Sequence, residues 1–429
     1  MSLTYLRRGT AALAVTATAV LTLGQLPSAS AATVSPALPA STRFFVPTPD
    51  RGALHQIADL VATGHFGDAE LILREVTTPQ AVWFTGGTPQ DVQQQVRQTT
   101  QGAAAAHAVP VLVLYNVPGR DCSQYSSGGA GSDPAYQAWI DGVAAGLTRA
   151  HRVVVVVEPD GLANLPSDCP AAYPGQDVAA LTAGRIADIR YAGQAITMAD
   201  REALVYLDAG HSAWHSVGDI AQRLDQAGVQ GVQGFSIDVS NYQPTPQLQQ
   251  YGGWIAKCLY FANNPAEGGW RLGHYDYCAS QYYPATVSDY STWYLSDAWY
   301  ADNVDNAAGA PTSPTQLAHF VVDTSRNGQG PWTGGAGYTD RQDWCNPPGR
   351  GLGLHPTAAT GNDLVDALLW IKTPGQSDGQ CNRGVAGSTS DPEWAAITGI
   401  PGFVDPAAGA WFAQQALQLA QLAVPPLRH

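Results

Sequence analysis

Five consecutive valines, Val153–Val157, run directly into Glu158-Pro159-Asp160. An unbroken β-branched run with no polar alternation predicts a strand buried on both faces, the kind found in parallel sheets. Pro159 offers no N–H to a ladder and ends the strand. An acid just past the carboxyl end of a buried parallel strand lies where α/β folds place their chemistry. It can equally be an ordinary acidic loop residue, so the rest of the chain has to decide.

The same theme recurs: short apolar strand, polar loop, helical segment. The strands are expected at Phe44–Val46, Ala81–Phe84, Val111–Tyr115, Val153–Val157, Ala203–Leu207, Gly231–Ile237, His319–Val322 and Leu368–Lys372. Helical patterns between them include Thr88–His107 and Ala179–Met198, and a last helix is expected near Gly409–Leu422. Alternation over this length predicts a parallel β/α barrel as one domain from residue 43 to 429. The span Gln243–Pro314 breaks the pattern. It is rich in Tyr and Trp, holds Cys258 and Cys278, and reads as an ordered insertion between the sixth and seventh expected strands.

Arg7 and Arg8, the apolar stretch Ala11–Leu23 and the small-residue site Ala29-Ser30-Ala31 predict a signal peptide over residues 1–31. The arginine pair leaves the general and twin-arginine export routes both open. Residues 32–42 are Ala, Ser and Pro-rich and are expected to be mobile. Removing residues 1–31 takes away two arginines and no acid, so the net charge moves from -14 to about -16. That surface argues against nucleic acid and anionic membranes as partners, and a secreted monomer is expected. Six cysteines in an exported chain suggest three disulfides, whose pairing the spacing leaves open. No C-x-x-C, H-E-x-x-H or EF-hand loop is present, so neither a metal nor another cofactor is expected. Gly349-x-Gly351-x-Gly353 does not follow a convincing strand and is read as a loop, not a phosphate cradle.

Acids follow six successive strand ends: Asp121, Glu158 and Asp160, Asp208, Asp238, Asp323, and Asp378. In a parallel barrel these ends converge on one mouth. Chance and helix capping supply a few such acids, but six in register, flanked by Gly, Pro and aromatics, exceed that expectation. A mouth lined by carboxyls, Trp and Tyr, with no metal motif, suits glycoside hydrolysis. That chemistry needs one protonated and one ionised carboxyl, and crowding keeps one of them protonated.

Five motifs occur in the order seen in glycoside hydrolase family 6. They are Arg120-Asp121-Cys122; EPDGLANL at 158–165; YLDAGH at 206–211; DTSRNG at 323–328 with WCNPPGRGLG at 344–353; and PG-x-x-DG at 374–379. The chain resembles that family from Arg43 to Val424. The resemblance implies a distorted TIM-like barrel with its cleft at the carboxyl ends of the strands. It also implies hydrolysis of β-1,4-glucan with inversion, with catalytic carboxyls roughly 6.5–9.5 Å apart.

By the same resemblance Asp160 is the general acid and Asp121 its neighbour. Tyr115 promotes ring distortion, Ser127 passes a proton along a water chain, and Asp378 is the proposed base. Asp208, His211, Trp214, Asp238, Asn241, Trp344 and Gln376 match sugar-holding positions. Arg326 and Lys372 hold Asp378; two cations lower its pKa and weaken it as a base, which favours a water relay. The disulfides implied are Cys122–Cys169 and Cys345–Cys381, with Cys258–Cys278 as an extra bridge.

Two departures stand out: Gln376 where the family commonly has Glu, and Asp238 where it commonly has Asn. The short interval from Trp344 to Asp378 resembles open endoglucanases, so endo action is favoured over a cellobiohydrolase. No cellulose-binding module is seen. A glucan-binding protein without catalysis is a further alternative. A serine hydrolase is weak, since Gly210-His211-Ser212-Ala213-Trp214 lacks the second glycine of G-x-S-x-G.

Overall fold

The computed structural model describes residues 38–147 and 152–427, with nothing said of the Ser123 side chain. The expected signal peptide and residues 32–37 lie outside that range. Among the described residues, seven strands form one parallel sheet in sequential order: β1 Val82–Phe84, β2 Val111–Leu114, β3 Val153–Val157, β4 Ala203–Asp208, β5 Gly234–Ile237, β6 His319–Asp323 and β7 Val365–Leu369. The sheet curls so that its two edges approach. There the Ala81 N–H donates to the Trp370 carbonyl at 2.9 Å, and the Trp83 indole N–H donates to the Ile371 carbonyl at 2.8 Å. The result is a seven-stranded, distorted barrel.

The valine run explains the layering. Val153, Val155 and Val157 join the core shared with the outer helices, while Val154 and Val156 join the core inside the curl with Val113, Leu204, Val321 and Leu369. All five valines are at most 2 % exposed. Each contributes about 1.5–3 kcal/mol of burial, an upper figure because denatured chains are partly compact.

Helices Pro89–Ala105, Asp133–Gly146, Val178–Ala199, Val217–Gln226 and Thr245–Ala262 connect the strands from β1 to β6. Their starts are built locally. Thr88 and Asp91 form a reciprocal capping box, and Ser132, Asp177 and Ser216 cap the next three. Parallel neighbours joined this way bring their carboxyl ends to one side.

The structure revises three expectations. Phe44–Val46 is not a strand: Phe44 makes a single bridge with Val109, and Pro47 and Pro49 supply no donors to extend it. The last strand starts earlier than expected, at Val365, with Asp366 inside it. Asp366 is tolerated there because Tyr206, Gln233 and His319 all bond its carboxylate, at 2.6 to 2.8 Å. Within the span 243–314, Thr245–Ala262 is a buried helix of the barrel, seated where Gly252 lies so close to Phe320 that a Cβ would clash at 2.4 Å. The irregular part begins after it and is stapled back to that helix by Cys258–Cys278. The other two bridges, Cys122–Cys169 and Cys345–Cys381, are also formed.

Candidate active site

The strand ends open into a cleft of about 420 Å³. Tyr115, Asp121, Asp160, His211, Trp214, Asn241, Trp344, Lys372 and Asp378 line it. The acids at the strand ends stand on backbone turned into the left-handed region, with φ of 60° at Asp121, 51° at Glu158, 63° at Asp160 and 68° at Asp238. Non-glycine residues hold such angles only when their surroundings enforce them, and they gather at functional sites.

The two acids after β3 divide their roles. Glu158 turns inward and accepts the main-chain N–H groups of Asn116 and Val117 at 2.9 to 3.0 Å. It fastens the end of β2 below Tyr115. Asp160 turns to the cleft, and its Oδ1 is buried with no hydrogen-bond partner. Burial, followed by the charges of Asp208, Asp121 and Asp378, pushes the Asp160 carboxyl well above the usual range, and Lys372 opposes this.

Asp208 lies behind the cleft wall. It accepts the main-chain N–H of Asp160 at 2.9 Å, that of Gly210 at 3.0 Å and the Ser236 hydroxyl at 2.9 Å. Two adjacent buried acids share protonation. Burial raises Asp208 to about 7 against its three donors; Asp160, which lacks such donors on Oδ1, is the partner that holds its proton more firmly.

Asp378 is the opposite case. Arg326 donates to it at 2.9 Å, the Lys372 ammonium stands 3.0 Å away, and the Asn346 N–H donates at 2.9 Å. Burial raises its pKa, but the two cations outweigh that and hold it at about 2. Asp121 lies between these extremes. Burial lifts it to about 6 against the Ser126 N–H, which donates at 2.6 Å, and the Arg120 charge. Arg120 also stacks 4.6 Å over the Tyr115 ring and bonds the Tyr115 carbonyl. Asp323 accepts four main-chain N–H groups, from Ser240, Ser325, Ile371 and Lys372, so it ties three strand ends together. His211 is held neutral: burial and the neighbouring His215 lower it to about 4.

Not every expected residue meets the cleft. Ser127 is exposed, and its neighbour Ser126 forms the wall. Arg326 is fully buried and acts through Asp378. Asp238 is fully buried, accepting the Gln243 N–H at 3.1 Å. The Gln376 amide faces Asp50 at 3.5 Å, outside the wall.

Other wall residues were not singled out from sequence: Trp83, edge-on to Tyr115 at 5.6 Å; Trp332; Asp343; and Tyr242, whose hydroxyl donates to Asp378 at 3.3 Å. Trp83 sits inside a strand. Tyr242 closes the motif after β5 and was the one with a usable signal. Asn346 also went unread as a site residue. Its amide and main chain bond Asp378 in both directions and reach Ser377, Gly379 and Asp405.

An acid with a raised pKa, an ionised partner held by cations and aromatic walls define a site for acid-assisted cleavage of a glycosidic bond. Residues 40–423 match the Glycosyl hydrolases family 6 profile, and the chain belongs to that family. Among its relatives, Endoglucanase 1 of Streptomyces sp. strain KSM-9 is 36% identical over 314 residues, covering 72% of this chain and 67% of that protein. Endoglucanase A of Cellulomonas fimi is 32% identical over 355 residues, covering 82% of this chain. The match takes in 56% of the Cellulomonas fimi protein, so this chain spans little more than half of that relative's length. The solved endoglucanase Cel6 of Mycobacterium tuberculosis, bound to a thio-linked cello-oligosaccharide, superposes with a TM-score of 0.62 at 31% identity, covering 89% of this chain and 98% of that one.

Proposed function

We propose that the chain is a secreted, monomeric glucanase that cleaves β-1,4-glucosidic bonds within cellulose or related β-glucans, with inversion. The observation that carries this is the contrast across one cleft. Asp160 has an unpartnered buried oxygen and a raised pKa, and Asp378 is held ionised by Arg326 and Lys372.

Asp160 protonates the leaving oxygen. Burial, with the neighbouring carboxyls of Asp208 and Asp121, keeps it protonated between turnovers. Tyr115 lies against the ring at the cleavage point, and Trp214, Trp344 and His211 hold neighbouring rings. Water attacks from the opposite face. At about 2, Asp378 is a weak base, so the proton leaves through a water relay that includes Asp121, at about 6, and Ser127.

The endo preference rests on the short connection from Trp344 to Asp378 and on the two endoglucanase relatives. Time-resolved products from cellohexaose and a soluble β-glucan test the reading. The expected result is mixed lengths, α-anomer first, and loss of turnover in Asp160→Ala with ligand binding kept. Cellobiose alone from chain ends would make it exo-acting, and no release from any glucan would leave a binding protein.

A further inference from the structure

The irregular segment after the Thr245–Ala262 helix displays four tyrosines within residues 282–294. Tyr282 is 42% exposed, Tyr283 80%, Tyr290 46% and Tyr294 64%. Single exposed apolar residues are ordinary, but a cluster of large rings marks a binding face.

The backbone beneath them is tied down. The Ser280 N–H bonds the Tyr283 carbonyl at 2.7 Å, and the Ser296 hydroxyl bonds the Ser280 carbonyl at 2.7 Å. Thr286 takes the Thr292 hydroxyl as acceptor at 2.8 Å, and the buried Tyr300 hydroxyl donates to the Ala279 carbonyl at 2.8 Å. Tyr290 opens the 3-10 turn Tyr290–Thr292, and Tyr294 begins the helix that follows it, Tyr294–Tyr300. Rings held outward on a fixed frame lose little conformational freedom when a ligand settles on them.

This face continues the cleft wall. The Gln281 amide donates to the carbonyls of Ser212 and His215, both at 2.8 Å, and the Tyr282 hydroxyl donates to the Trp214 carbonyl at 3.3 Å. Trp214 itself lines the cleft. The tyrosine segment is therefore bolted to the loop that forms one end of the catalytic wall.

The chemistry selects the ligand. The two acids beside the tyrosines are turned to internal work: Asp289 accepts the Ser291 N–H and hydroxyl, and Asp297 accepts the Trp254 indole and the Gln250 amide. No Lys or Arg occurs from Leu272 to Pro314, so nothing there recognises phosphate. What remains is uncharged aromatic faces with hydroxyl edges. The negative π-face attracts polarised C–H groups, and the hydroxyl offers hydrogen bonds. The C–H face and equatorial hydroxyls of a neutral pyranose chain fit both.

We propose that Tyr282, Tyr283, Tyr290 and Tyr294 form a platform that binds the same glucan chain beyond the cleft, starting where Trp214 ends. The proposal rests on the glucanase reading above.

Its test is polymer binding by the full chain carrying Asp160→Ala, measured by affinity electrophoresis in gels containing barley β-glucan, with and without saturating cellotetraose to fill the cleft. Part of the retardation should survive cellotetraose. The added pair Tyr283→Ala and Tyr294→Ala should weaken that residual binding about tenfold. In the otherwise native enzyme the same pair should raise KM on the polymer and leave cellotetraose turnover unchanged. A single Tyr283→Ser, at the most exposed ring, gives a second variant with minimal effect on folding. Complete loss of retardation with cellotetraose, or residual binding indifferent to the tyrosines, overturns the platform, and the second result would suit a protein partner instead. Absence of turnover by the native enzyme on every glucan would instead strike the parent reading.

Discussion

The main-chain N–H of Asp160 donates to the Asp208 carboxylate at 2.9 Å, while Oδ1 of Asp160 is buried without a partner. One link fixes where the acid stands and adds to the burial that keeps it protonated. The positive φ of Asp160 aims its amide at Asp208 and leaves its side chain to the cleft. The nearby charge on Asp208 then opposes ionisation of Asp160.

Asp121 adds to that opposition, and its removal has a definite sign. Asp121→Asn takes a negative charge from beside Asp160, so the Asp160 pKa falls. The acid is then protonated only at lower pH. The alkaline limb of kcat against pH should move down by about one unit, and kcat at its optimum should fall about a hundredfold through loss of the relay. Rate profiles from pH 4 to 9 read both. An unmoved limb would separate Asp121 from the protonation of Asp160.

Arg326 is fully buried and pairs with Asp378, so its loss leaves that buried carboxylate with Lys372 as its remaining cation and opens a buried polar gap. Arg326→Ala should cost about 3–5 kcal/mol of stability, seen as a fall in Tm of several degrees. Arg326→Lys should recover part of it, since charge is restored without the Ser240 carbonyl contact that the guanidinium makes. Calorimetry at pH 6 distinguishes the two variants.

The pH dependence of stability should run opposite to the common acid-denaturation trend over the neutral range. Burial raises Asp121 to about 6 and Glu158 to about 7, and it also raises Asp160 and Asp238. Between pH 4 and 7 the folded state therefore binds more protons at these groups than the unfolded chain. Stability then falls as pH rises through that range. His211, lowered to about 4, acts the other way between about 4 and 6.5, and Asp378 loses its contribution only as pH falls through about 2. The carboxyls outnumber the histidine, so Tm should rise on going from pH 8 to 5.5. A flat or opposite trend would mean that these carboxyls are ionised in the fold.

How much of this was legible follows from which information is local. The five valines fix β3 because both faces are buried, which a run of one residue type records directly. The acids at strand ends were legible for a similar reason: strand, breaker and acid are adjacent in sequence. Asp366 hid the start of β7, because its three partners come from β4, β6 and the turn before β5. Phe44–Val46 looked like a strand by composition, and only the prolines that follow it argued otherwise. Trp83, Trp332 and Asn346 went unread since each acts through groups far along the chain. The Gln376 amide was placed with sugar by motif alone, and the fold turns it to Asp50.

Asp238 offers the sharpest test of how a motif departure is absorbed. The family resemblance implies Asn at this position. Asp238 is fully buried with φ of 68°, an angle that Asn and Asp tolerate better than most side chains. One oxygen accepts the Gln243 N–H, and the other is buried without a partner. Burial and then the charge of Asp323 push its pKa well up, against Arg326. A neutral carboxylic acid has nearly the shape of the amide it replaces, so at working pH Asp238 stands in for Asn. Asp238→Asn should therefore keep kcat/KM within about threefold at pH 5.5 and raise Tm at pH 8, where the acid would otherwise be forced to ionise. Asp238→Ala should cost about 1–3 kcal/mol by leaving the Gln243 N–H unpaired. A hundredfold loss of turnover in Asp238→Asn would mean that the carboxylate is charged and used.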